Sequence, residues 1–230
     1  MGTVAWEREF DRWLAPFWTA LGDTRRRPWG PVYVRGLLGP GERQSVEPLA
    51  ARVAPDDDAQ VHHFVCASCW RPEPLERVLA EKAQPMVGGP DAVLIIDDTG
   101  LLKQGKRSVG VARQYAGAGK TTNCQILVSL TLARDEVPVC VALRLFLSAD
   151  RTWLGLHHHA LMPLISFAFL QHLRLREVTR ARRRGKMEPA RGGPPQPSLP
   201  AIRRVLLAHA PAVQLRCPKC NGRLTYQPPA

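Results

Sequence analysis

Two adjacent carboxylates, Asp97 and Asp98, close a short apolar run rich in β-branched residues, Ala92–Asp98 (AVLIIDD), and Thr99 and Gly100 follow them. Such a run reads as a buried strand that emerges at an acidic tip. A carboxylate at a strand end is a ligand for Mg2+, a hard cation that takes oxygen donors and keeps several of its waters. Neighbouring strand side chains point to opposite faces, so only one of the pair turns into a common site. The structural alternative is that the pair caps the strand end and its turn.

The chain after these acids is basic. Thr99 to Thr122 carries Lys103, Lys106, Arg107, Arg113 and Lys120 and no acid. A connection of that length is either a functional excursion or a solvated loop, and its charge suits DNA phosphates. Gly117-Ala118-Gly119-Lys120-Thr121-Thr122 has part of a nucleotide-phosphate loop, but Gln114 stands where the first glycine of that motif belongs. The motif must also open a helix, whereas a strand pattern follows here, so ATP binding is excluded. A second basic cluster comprises Arg174, Arg176, Arg180, Arg182, Arg183, Arg184 and Lys186, within 13 positions.

Cysteine and histidine give weaker signals. Cys66 and Cys69 lie in an apolar helical pattern and read as core cysteines; Cys217 and Cys220, in RCPKCNGRL, look like half of a zinc ribbon. Paired Cys-x-x-Cys knuckles hold zinc when 15–20 residues part them, and here almost the whole strand region intervenes. His157, His158 and His159 cannot all face one ion from a helix, which leaves one or two of them for a role.

The elements that must position these groups follow from periodicity. Trp6, Phe10, Trp13, Leu14, Phe17, Trp18 and Leu21 recur at three- and four-residue steps, the stripe of an amphipathic helix facing a core. Pro28 and the Gly36–Gly41 stretch punctuate. Helical patterns resume at Glu42–Val53, Asp58–Trp70 and Glu73–Ala83, so residues 1–90 form a helical N-terminal region. Cys124, Ile126, Val128, Leu130 and Leu132 alternate strictly, as do Val139, Val141, Leu143, Leu145 and Leu147 after a turn at Arg134–Pro138. That predicts a hairpin over 124–147, beside the Ala92–Asp98 strand. His157–Arg176 reads as a helix, Ala190–Pro200 as a proline-rich linker and Ala201–His209 as a short helix. The fold class is α+β.

The composition narrows the function. The 230 residues are 45% hydrophobic and 23% charged, enough for a real core. No run of 18 apolar residues occurs, and the six cysteines are too sparse for a disulfide scaffold, so a cytoplasmic protein is expected. The net charge of +12 lies wholly in the last third: residues 151–230 hold 14 Lys and Arg against Glu177 and Glu188, and residues 1–150 balance at 18 of each sign. Such asymmetry points to a polyanion partner, nucleic acid first.

Val93–Leu130 (VLIIDDTGLLKQGKRSVGVARQYAGAGKTTNCQILVSL) resembles the DDE-superfamily transposases of bacterial insertion sequences, in the branch whose first acidic motif reads Asp-Asp-Thr-Gly. YVRGLLGPGERQSVEPLAARVAP upstream, and TWLGLHHHALMPLISFAFLQHLRL, PPQPSLPAIRR and CPKC downstream, extend the resemblance over nearly the whole chain. It implies a ribonuclease H-like core, three acids that hold two Mg2+ ions, cleavage and strand transfer of double-stranded DNA, and a nucleoid-associated location. Asp98 matches the first acid and metal ligand, with Asp97 the alternative. The strand bearing the second acid is missing, and the position expected for the third, a Glu, falls near Ala149. The resemblance therefore implies an internal deletion with its junction near residues 148–152, and a catalytically inactive copy. Residues 91–150 are then a partial catalytic core, and 151–230 a C-terminal helix, basic tract and tail. Half a sheet leaves an unprotected edge, so a homodimer or a mixed dimer with an intact relative is expected. A non-catalytic DNA-binding regulator and a decayed gene product are the alternative readings.

Overall fold

The computed structural model describes residues 3–40, 45–105, 109–116, 120–146, 154–184, 197–209, 215–216 and 223–224. Five helices come first: α1 (Thr3–Ala20), α2 (Trp29–Leu38), α3 (Val46–Val53), α4 (Asp58–Cys66) and α5 (Glu73–Val87). Four strands follow, β1 (Val93–Leu102), β2 (Ala112–Ala116), β3 (Lys120–Arg134) and β4 (Val137–Leu145). Then come α6 (Leu154–Arg183), α7 (Leu199–His209) and two short paired strands, β5 (Leu215–Arg216) and β6 (Arg223–Leu224). The fold is α+β, with an antiparallel sheet against a helical layer.

The aromatic stripe of α1 is buried along its length from Trp6 to Leu21. Phe169 of α6 meets Phe10 edge-on at 5.1 Å and Trp13 at 5.5 Å between ring centroids. Val137, Val139 and Val141 of β4 share this core with all the helices, so helical region and sheet are packed as one body.

One helix is absent from the sequence reading. Residues 29–38 lie between Pro28 and the Gly36–Gly41 stretch that read as punctuation and overlap the latter, yet they form α2. The glycines serve close approach: a Cβ on Gly30 would stand 2.4 Å from the Trp18 ring, and one on Gly36 2.7 Å from Val53. Packing against α1 and α3 outweighs the poor helix propensity of glycine.

The sheet is organised around β3. It pairs β1 along one edge, from Val93↔Ala133 to Leu102↔Cys124. Along its other edge it pairs β4 over Leu127–Arg134 and β2 over Lys120–Cys124. Asp135 and Glu136 alone join β3 to β4, and Asp135 takes the positive φ, 53°, that tight hairpins require. The register slips by one residue at Leu130/Thr131. The extra residue, Val141, breaks the alternation expected for β4 and brings Arg144 onto the face that Val139 holds before the bulge.

Three expectations are corrected. Thr99–Thr122 is not one long loop: β1 runs on to Leu102, and β2 makes a hairpin with β3. β1 is not buried; Val93, Leu94, Ile95 and Ile96 are 54, 62, 44 and 73% exposed. The helix expected to end at Arg176 continues to Arg183, so most of the basic tract is helical. Its 30 residues make a rod of about 45 Å.

Candidate nucleic-acid interface and carboxylate strand

Asp97 and Asp98 are the fifth and sixth of the ten residues of β1, so they sit mid-strand rather than at its tip. Both are exposed. Asp98 is in register with Val128, itself opposite Arg144; Asp97 is in register with Ser129. Cross-strand partners share a face, so Asp98 lies on the helix-facing side and Asp97 on the other. The Ser129 hydroxyl donates to the Asp97 carbonyl at 3.3 Å, which ties β1 to β3 at this level. Arg144 is taken by Glu76 of α5 through two hydrogen bonds, one of them 2.7 Å long, and that carboxylate holds the guanidinium pKa above its usual range.

The residues present do not fit a two-ion Mg2+ centre. Asp97 and Asp98 stand on opposite faces of a sheet-edge strand, and bridging two ions requires converging carboxylates. Among the described residues no three His, Cys, Asp or Glu side chains come together as metal ligands. Ala149 and the junction near 148–152 lie outside the described residues.

The basic groups fall into two sets. Arg180, Arg182, Arg183 and Arg184 are exposed at the C-terminal end of α6, with Arg180 bonded to Glu177 at 2.8 Å. Arg174 and Arg176, expected on the same surface, turn inward instead. Arg174 is 5% exposed, against Gln171, and burial holds its pKa down. Arg176 pairs with Glu9 of α1. The reason is helical geometry: residues 173, 174 and 178 fall on the packed face of α6, and 180 and 182–184 extend past it. Arg113 is exposed on β2, and Lys103 is half-buried just beyond β1. The side chain of Lys120 and all of Lys106, Arg107 and Lys186 lie outside the described residues.

The Glu9 carboxylate also accepts from His172 Nε2 at 3.0 Å. Burial first, and the charge of Lys82 second, hold the His172 pKa below its ordinary value. The unfolded chain therefore takes up this proton first, and stability falls as pH drops below about 6.5. Replacing His172 with Gln is expected to flatten that slope between pH 6.5 and 5 in denaturant titrations. An unchanged slope would assign the acid sensitivity elsewhere.

The remaining sequence candidates serve structure. His158 is fully buried and stacks on Trp70 at 3.5 Å, with its ring nitrogens 3.2 Å from the Val65 carbonyl and 2.6 Å from that of Trp70. It fastens α6 to the end of α4. Cys69 is exposed rather than in the core; Cys66 is half-buried, and burial pushes its thiol pKa up, away from the thiolate that zinc needs. Cys217 and Cys220 lie outside the described residues, between β5 and β6. Lys120 opens a strand, the wrong frame for a nucleotide-phosphate loop. No helix among the described residues is long and apolar enough to cross a membrane.

The sequence reading did not single out Asn123, Tyr115, Glu76 or Arg144. Arg113, Gln114 and Tyr115 carry no polar–apolar alternation, and the Glu76–Arg144 pair, 68 residues apart, has no local signal.

Comparison with known proteins adds a lineage. Residues 16–192 match the family model of the DDE superfamily endonucleases. A probable transposase for insertion sequence element IS701 from Microchaete diplosiphon is 33% identical over 96 residues, 41% of this chain. The chain spans about a quarter of that relative, 25% of its length. No solved structure matches.

Proposed function

The chain belongs to the DDE superfamily of endonucleases, and from that premise we propose that it is a DNA-binding protein of transposase lineage whose catalytic core is incomplete. In this reading β1, β3 and β4 are the antiparallel half of a ribonuclease H-like sheet. The strand carrying the second acid has been lost by internal deletion, and strand cleavage with it. Asp98 is the retained first acid and would be the metal ligand, with Asp97 beside it. The observation that carries the reading is the exposure of β1: an apolar strand bearing the family's acidic motif lies at the sheet edge, where a further strand would cover it.

Double-stranded DNA is the partner the charge supports. Between Thr99 and Arg134 there is no acid, and the end of α6 carries four exposed arginines. The same exposed edge favours a role as a non-catalytic regulator, pairing with a second copy or with an intact relative through β1.

The test is strand cleavage of duplex DNA carrying the ends of the parent element, with Mg2+ or Mn2+, comparing this chain with Asp98→Ala. Asp98 alone would not complete a two-ion centre, whose Mg2+ ions would need further carboxylates. Neither protein is expected to nick the DNA. Nicking by the parent that vanishes in Asp98→Ala would overturn the incomplete-core reading.

A further inference from the structure

β2 and the first residues of β3 project beyond the sheet. Pairing to β1 ends at Leu102↔Cys124 and pairing to β4 at Leu127↔Leu145, so Lys120–Asn123 has β2 as its ladder partner. Ala112–Ala116 and Lys120–Cys124 are thus a two-stranded antiparallel ribbon. Its base is braced: Gln114 Nε2 donates to the Cys124 carbonyl at 3.2 Å, and Gln125 Nε2 to that of Val109 at 2.5 Å. The bracing uses the Gln114 and Gln125 side chains and not those of Arg113, Tyr115 or Asn123.

One face of the ribbon has an ordered chemistry. Arg113 is opposite Asn123, and Tyr115 is opposite Thr121, so these four share a face. The Lys103 amide donates to the Asn123 carbonyl at 2.9 Å, which continues the β1 register by one residue. Lys103, Asn123 and Arg113 therefore form a row across three adjacent backbones, at about 5 Å steps. Arg113, Tyr115 and Thr121 are exposed, Tyr115 to 66%. A cation, an amide and a guanidinium in one row, with an exposed aromatic ring nearer the tip, is not an arrangement that packing demands.

We infer that this ribbon is a base-reading arm that enters the major groove of duplex DNA. The inference rests on the DNA-binding reading above and adds which groups read sequence. The major groove admits a two-stranded ribbon, and its edges offer the guanine O6/N7 and adenine N6/N7 pairs that arginine and asparagine meet with two hydrogen bonds each. Arg113 and Asn123, side by side, read neighbouring bases, and Lys103 holds a backbone phosphate beside them. Lys103 sets affinity and Arg113 and Asn123 set sequence.

The experiment starts from a pool of random 30-bp duplexes selected on the full chain, with affinities then measured for the selected site and the unselected pool. Arg113→Ala and Asn123→Ala are expected to lower affinity for the selected site roughly tenfold or more each, and to leave affinity for the pool nearly unchanged. Lys103→Ala is expected to weaken both alike and to reduce the salt slope by about one. Replacing the contacted guanine with 7-deazaguanine should weaken the parent chain but not Arg113→Ala. Arg113→Lys, which keeps the charge, should still lose discrimination. Specific binding that survives Arg113→Ala and Asn123→Ala overturns the ribbon assignment and leaves the DNA-binding reading standing, as does DNA binding that selects no site. No binding to any duplex overturns both.

Discussion

The affinity of the chain for a duplex is expected to fall roughly five-hundredfold between 50 and 200 mM salt. That expectation follows from counting solvent-accessible cations. Arg180, Arg182, Arg183 and Arg184, exposed at the end of α6, with the half-buried Lys103 at the ribbon, supply contacts to about five phosphates. Each neutralised phosphate releases condensed counterions, so a plot of log affinity against log salt should have a slope of about −4.5. Arg174 and Arg176 do not enter the count, because one is buried and the other is paired to Glu9. The combined variant Arg182→Ala, Arg183→Ala, Arg184→Ala should therefore flatten the slope by about three, and Arg174→Ala should act on stability instead. Fluorescence anisotropy across a salt series measures both. A slope near zero would refute the phosphate account.

The second large effect concerns assembly. In sedimentation velocity the parent chain is expected to run as a dimer or larger species, and Ile96→Lys as a monomer of unchanged helix content. Among the described residues no strand pairs the outer edge of β1, and Val93, Leu94, Ile95 and Ile96 are all substantially exposed. Fully covering one such side chain is worth about 1.5–3 kcal/mol, so a second copy of the strand gains from both hydrogen bonds and apolar contact. An antiparallel pair centred on Ile95 sets Leu94 against Ile96 and keeps the carboxylates of Asp97 and Asp98 apart. A pair centred between those two acids would place four like charges together. A lysine at position 96 introduces charge at the centre of the favoured register, the device by which natural edge strands resist pairing. A parent chain that stays monomeric at high concentration would sink the edge argument.

Legibility in the sequence followed the range of the interaction. The α1 stripe and the β3–β4 hairpin were readable because their periods of 3.6 and 2 are local and their residues face one core. α2 was not, because its glycines are explained by Trp18, Leu49 and Val53 on other elements. AVLIIDD was readable as a strand, but not as an exposed one: a continuous apolar run signals burial on both faces only when other strands and helices exist to bury it. The acids were legible as a motif and as lying on opposite faces; their mid-strand position depended on the length of β3, against which β1 pairs. The arginine cluster was legible as charge, but its division into inward and outward members was set by Glu9 and Gln171.

The central place of β3 has a consequence for the order in which the sheet is built. β4 reaches β3 across two residues and β2 across three, Gly117–Gly119, so both hairpins are local and zip on the microsecond scale, about 1–10 μs. β1 instead closes loops of 22 residues, for Leu102 with Cys124, to 40, for Val93 with Ala133. Loop-closure entropy is paid before such pairing is rewarded. β1 is thus expected to dock onto a formed β3–β4 template, and among the described residues β3 alone pairs with it. Its amide hydrogens are therefore expected to exchange ahead of those of β3 and β4, which native-state hydrogen exchange would measure. The segment that carries the lineage's acidic motif is then expected to be less securely held than the β3–β4 hairpin, and its order is open to control by whatever lies along its outer side.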